Sequence, residues 1–227
     1  SALSSNIRIN ARWKQNGLTV AGGKGQGNGI NQLLDSCGLY VDDDQTIYVA
    51  DQSNHRIVEW KRGATSGQVV AGGNGQGSGD HQLNYPAIVI IDKERDSLII
   101  SDRSNKRVVR WPRRNGTSGE TIISNIVCWE YVFVDRDHSV YVSDGVNHRV
   151  MKWNEGAKQG IAMAGGQGYG NGLTQLSCPQ GVAVNQLGTV YVADRWNNRI
   201  MRWPKGATQG SVIVGGNDSG GQSNQLN

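Results

Sequence analysis

Four tryptophans stand beside cations at matching places along the chain. Trp60 adjoins Lys61 and Arg62, Trp111 adjoins Arg110 and Arg113, Trp153 adjoins Lys152, and Trp203 adjoins Arg202 and Lys205. An indole face flanked by polar donors suits a sugar ring, whose C–H face is apolar and whose hydroxyls need partners. The same pairing could stack nucleic-acid bases and hold phosphates. Trp60, Trp111, Trp153 and Trp203, with Arg62, Arg113 and Lys205, are therefore the candidate ligand-binding residues. Several equivalent weak sites on one rigid scaffold would bind multivalently, as a lectin does. The competing reading has each indole packed between neighbouring structural units.

Acid–base and metal chemistry find less in the sequence. His55, His81, His138 and His148 are the four histidines, and neither a His-x-x-x-His nor a Cys-x-x-Cys spacing occurs. No metal or other cofactor is expected. Asp42, Asp92 and Asp135 each follow a short apolar run, which points to turns rather than to a unique catalytic pair. Asp42-Asp43-Asp44 could attract calcium, but an exposed acidic turn is the plainer reading. Three glycine-rich stretches begin at Gly22, Gly72 and Gly165. A dinucleotide fingerprint requires a helix to follow and aim its N-terminus at the pyrophosphate. Here Gln-Leu and another short strand follow instead, so the glycines read as tight links with positive φ.

The elements that would position these residues repeat. The skeleton Asp51, Asn54, Arg56, Trp60 recurs as Asp102, Asn105, Arg107, Trp111, then as Asp144, Asn147, Arg149, Trp153, and as Asp194, Asn197, Arg199, Trp203. A period of roughly 42 to 51 residues marks an array of one supersecondary unit. In the clearest copy, residues 180–214, four short apolar or β-branched runs alternate with turn residues. No helical periodicity is present. The reading is all-β, a β-propeller of four-stranded antiparallel blades, with the first strand at the channel and the fourth at the rim. The Asp, Asn and Arg of each copy are read as structural, a carboxylate and a guanidinium pairing across a tight turn.

Asn54-His55-Arg56-Ile57 after Ile47-Tyr48-Val49-Ala50-Asp51 resembles the NHL repeat, and Asn147-His148-Arg149-Val150 after Val140-Tyr141-Val142-Ser143-Asp144 resembles it again. The resemblance covers nearly the whole chain and implies a propeller. It implies binding of proteins, RNA or other ligands, while related propellers include lyases and hydrolases.

The chain of 227 residues is expected to be one domain, 1–227, of about four and a half blades. A half blade spans 5–35, with Ile7 to Trp13 and Leu18 to Ala21 as its third and fourth strands. Blades follow at about 36–83, 84–127, 128–176 and 177–227. Completed, the ring would hold five or six blades, the missing half lying outside this sequence or coming from another copy of the chain, since an open ring leaves strand edges unpaired. The link from Ile123 to Asp135 lacks the glycine loop and is shorter than its counterparts.

The net charge of +4 is mild, which ranks RNA below a protein or glycan partner. No apolar run is long enough to insert in a membrane. Cys37, Cys128 and Cys178 are odd in number, and two glycosylation triplets, at Asn115 and Asn217, lean towards a secreted protein. The expected function is a non-enzymatic binding or scaffold propeller for a protein or glycan, through loop faces or inter-blade clefts. A lectin, a metal-assisted lyase or hydrolase in the central channel, and an RNA binder are the alternatives.

Overall fold

The computed structural model describes residues 16–126 and 131–226. Alternating β-branched and aromatic runs between turn residues become sixteen strands. The first blade holds β1 (Ser36–Val41), β2 (Ile47–Asp51), β3 (Arg56–Trp60) and β4 (Gln68–Gly72), and the second holds β5 (Pro86–Asp92), β6 (Ser97–Asp102), β7 (Arg107–Pro112) and β8 (Glu120–Ser124). The third comprises β9 (Val132–Val134), β10 (Val140–Asp144), β11 (Arg149–Trp153) and β12 (Ile161–Gly165), and the fourth β13 (Pro179–Val184), β14 (Val190–Asp194), β15 (Arg199–Trp203) and β16 (Ser211–Gly215). Each set is an antiparallel meander in sequence order, and the four sheets stand as blades of a β-propeller. Leu18 to Ala21, expected as a fourth strand, forms no strand. Its expected partner, Ile7 to Trp13, lies outside the described residues.

The second strands are the most buried, because each has a strand on either side, and those of the two inner blades also have a blade on each face. Every residue of β6 is buried, as is every residue of β10. Apolar clusters lie between successive blades. Tyr48 and Ile57 of blade 1 meet Val89 and Trp111 of blade 2. Ile99 and Ile123 meet Val140 and Val142, and Tyr141 and Val150 meet Val192 and Trp203. Blade-to-blade burial of this kind makes the array cooperative with its neighbours rather than stable blade by blade.

The two ends of the propeller differ in chemistry. One end carries the turns between first and second strands and between third and fourth strands, and is called the turn face below. The other, the loop face, carries the turns between second and third strands and the glycine-rich links between blades. Those links are held alike: Gln26 bridges to Leu33, Gln76 to Leu83, Tyr169 to Leu176 and Ser219 to Leu226. Gly72 shows why glycine is needed. Its φ is +66°, and a Cβ there would sit 2.5 Å from the His55 carbonyl oxygen.

The repeated polar residues lock each link to the blade that follows it. Asp51 Oδ1 accepts the Leu34 N–H at 2.8 Å, and Oδ2 accepts Arg56 Nε at 2.7 Å and the Asn54 side-chain amide at 2.9 Å. Arg56 then donates to the carbonyls of Asn28 and Gly29, at 2.7 and 2.9 Å. Arg107 grips Ser78, Gly79 and Gln82 in the same way, and Arg199 grips Asn171, Gly172 and Gln175. Blade 3 departs from this pattern. Its link lacks the glycine loop, and among the described residues Arg149 bonds to Asp144 alone, at 3.0 Å. The Arg149 side chain is 37% exposed, against 8, 12 and 6% for Arg56, Arg107 and Arg199.

Candidate functional site

The tryptophans close the third strands, as the spacing requires, but three of them are core. Trp60 and Trp111 are each 1% exposed and Trp203 is 2% exposed. Gly67, Gly119 and Gly210 lie against these indoles so closely that a Cβ at any of them would meet a ring atom within 3 Å. An indole enclosed on both faces has no platform for a sugar or a base, which corrects the ligand-binding reading of Trp60, Trp111 and Trp203. Trp153 alone is half-buried.

The flanking cations do not gather around the indoles either. Arg113 reaches away to the preceding blade, donating Nε to the Tyr48 hydroxyl at 2.8 Å and pairing with Asp42. Arg62 and Lys205 are exposed at the turn face, in the clefts on the N-terminal side of blades 1 and 4.

These turn-face contacts are inter-blade locks. Burial, and then the bond to Glu59, push the Tyr48 phenol well above its ordinary value of 10.0. Burial likewise raises Tyr141, although Lys152 beside it pulls the other way. A phenol with a higher pKa folded than unfolded keeps its proton after the unfolded chain has begun to lose it. Its contribution to stability is complete below the unfolded value of 10.0 and falls away as the pH climbs towards the folded one. The melting temperature is therefore expected to hold at neutral pH and fall above about pH 10. The decline should be shallower in the Tyr48→Phe, Tyr141→Phe double variant, and an identical decline in that variant refutes the assignment.

The loop face carries the residues that vary between copies, and two variations coincide. The link position filled by Gln26 and Gln76 is Tyr169 before blade 4. The turn position filled by Ser53, Ser104 and Val146 is Trp196 in blade 4. Trp196 is 59% exposed and Tyr169 is 63% exposed. Their rings meet edge to face at 6.4 Å, and Tyr169 meets His148 at 5.3 Å in the same manner.

The backbone beneath them fixes this ladder. His148 sits in a left-handed conformation, φ +54°, at the β10–β11 turn, and its Nδ1 accepts the Cys178 N–H at 3.2 Å. Trp196 lies in the 3-10 turn Arg195–Asn197, which Asn198 ends in the same left-handed conformation, φ +48°. Exposed Val146 and Arg195 border the ladder on the same face. Trp196 stands outside the period of the repeated tryptophans, which hides it from a reading by spacing. Aligning the copies position by position would have found it, since neither Tyr169 nor Trp196 has an aromatic counterpart in the other copies.

Among the described residues, no group of three or more His, Cys, Asp or Glu is placed to hold a metal ion.

The NHL repeat family model matches residues 176–202, which run from the last blade-to-blade link into β15. No curated protein sequence matches the chain. The fold is similar to a streptogramin B lyase, at 9% identity and a TM-score of 0.55 over 78% of this chain and 54% of that one. It is similar also to the selenomethionine-substituted virginiamycin B lyase from Staphylococcus aureus, at 10% identity and 0.58 over 82% and 57%. A third similar chain comes from a nidogen/laminin complex, at 14% identity and 0.50 over 78% and 79%. The chain thus spans little more than half the length of the two lyases. These likenesses are of fold, an NHL-type β-propeller. They overturn the expectation of a non-enzymatic module, because two of these similar structures are enzymes, so that repeat architecture gives no ground for excluding catalysis.

Proposed function

We propose that the chain recognises a protein partner through its loop face, with Trp196 and Tyr169 as the anchoring side chains. The observation that carries this reading is their joint exposure in one aromatic ladder on a rigid turn and link. Large aromatic side chains left in water lose solvation on binding at little conformational cost, and Trp, Tyr and Arg dominate protein interfaces energetically. Arg195 beside Trp196 supplies a cation for the rim. The similarity in fold to a chain of a nidogen/laminin complex supports the same class of partner. Glycan and RNA readings lose their shared platform with the burial of Trp60, Trp111 and Trp203.

The test restores the residues of the other copies: Trp196→Ser with Tyr169→Gln. A partner captured by the wild-type chain is purified and its affinity measured against both proteins. Losing a central aromatic anchor costs about 2 kcal/mol or more, roughly thirty-fold in Kd. The double variant should bind at least that much more weakly while melting within a degree or two of wild type. Equal affinity in the two proteins sinks the proposal.

A further inference from the structure

A second place where one copy breaks the pattern lies between blades 2 and 3. At matching cross-strand positions, Tyr48 pairs with Glu59, Tyr141 with Lys152 and Tyr191 with Arg202, but Ile99 pairs with Arg110. In blade 1 the Tyr48 hydroxyl donates to Glu59 at 2.8 Å, and in blade 3 the Lys152 ammonium lies 5.1 Å from the Tyr141 ring centroid. Ile99 offers Arg110 no polar group, and Arg110 Nε is buried with no hydrogen-bond partner among the described residues. A buried, unpaired donor on a guanidinium is costly, and with Nε enclosed it is the terminal amino groups of Arg110 that a ligand can reach.

Arg110 reaches a cavity of about 220 Å³ between the blades, lined also by Glu120, Ile122, His138, Trp153 and Lys158. The other charges around it are partly committed. His138 Nδ1 lies 2.9 Å from Asp92 and Nε2 lies 3.3 Å from Glu94, and Glu155 pairs with Arg95. Against the one uncommitted carboxylate of the lining, Glu120, stand the two cations Arg110 and Lys158, which leaves the cavity a net positive charge to meet an anion. Trp153, the one half-buried member of the repeated tryptophans, and Ile122 supply an apolar wall. Glu120, opposite Arg110 in the β7–β8 ladder, offers acceptors to hydroxyls.

The geometry points to a binding site for a small organic carboxylate with one flat apolar face, its carboxylate on Arg110 and its ring against Trp153. The guanidinium fork matches a carboxylate in two parallel hydrogen bonds, which a lysine cannot reproduce.

The test titrates the whole chain with benzoate and, separately, with glucuronate, by calorimetry, the two arms separating an aromatic acid from a sugar acid. One-to-one saturable binding of either probe is expected. Arg110→Gln and Arg110→Leu should each weaken it at least tenfold, and Arg110→Lys should weaken it less than they do. Arg110→Leu should also leave the melting temperature of the unliganded protein unchanged or higher, since it removes an unsatisfied donor, whereas a merely structural arginine would lower it. Absence of saturable binding of both probes by folded wild-type protein overturns the proposal, as does binding that Arg110→Gln leaves intact.

Discussion

Replacing Asp102 with Ala is expected to lower the unfolding free energy by about 3–5 kcal/mol, because it breaks a buried ion pair from one side. Asp102 is fully buried. Its Oδ1 accepts the Asn84 N–H at 2.7 Å, while Oδ2 accepts Asn105 Nδ2 at 2.8 Å and Arg107 Nε at 2.6 Å. Removing the carboxylate leaves the Arg107 cation facing carbonyls and the Thr121 hydroxyl but no anion, with its side chain 12% exposed. It also releases the link that Arg107 clamps, and with it the seat of Leu83 between blades 1 and 2. The informative comparison is Asp144→Ala in blade 3. There the arginine side chain is 37% exposed, grips no glycine loop among the described residues and can turn to water. Urea unfolding of the two variants should show Asp144→Ala losing less than half as much as Asp102→Ala. Equal losses would mean that the carboxylate acts only within its own turn, and the clamp on the link would be wrong.

The second large effect is expected at the enclosed indoles. Trp111→Ala or Trp203→Ala should cost about 3–5 kcal/mol, the range for truncating a fully buried aromatic side chain. Trp111 adds a hydrogen bond from its Nε1 to the Gly116 carbonyl at 3.0 Å. Each indole closes the junction with the preceding blade, so the loss should spread to both blades and lower the denaturation midpoint cooperatively. Trp153→Ala should cost visibly less, since that ring already keeps one side towards a cavity. Chemical denaturation of the three variants side by side decides the matter. A folded, equally stable Trp111→Ala protein would return these residues to the surface.

The repeat made the architecture legible before any coordinate. A Trp, an Arg and an Asp at fixed offsets mark copies of one supersecondary unit, and the four meanders and the third-strand tryptophans lie where the spacing places them. The sequence could not show which way each tryptophan faces. A period-two strand places it on one side of a sheet, but whether that side is water or the next blade depends on packing between repeats. The flanking cations were misleading for the same reason: Arg113 is adjacent to Trp111 in sequence yet bonds to Tyr48 of another blade. The loop-face ladder combines residues from three separate segments, at His148, Tyr169 and Trp196. Their meeting follows from the bonds that seat the link against the blade 4 turn, Asn197 Nδ2 donating to the Gly170 carbonyl at 2.9 Å and the Trp196 N–H to that of Ser177 at 3.1 Å. The Ile99–Arg110 mismatch, by contrast, is readable by aligning the copies, since tyrosine stands at the matching position in the other three blades.

The central claim is that the repeated residues hold the propeller together and that the non-repeated aromatics of the loop face meet the partner. Hydrogen–deuterium exchange on the chain with and without its captured partner tests this most directly. Protection confined to peptides covering 145–148, 166–178 and 195–198 is the predicted footprint. Protection at the turn face instead, around 93–96 and 154–160, with the loop-face peptides unchanged, would contradict it.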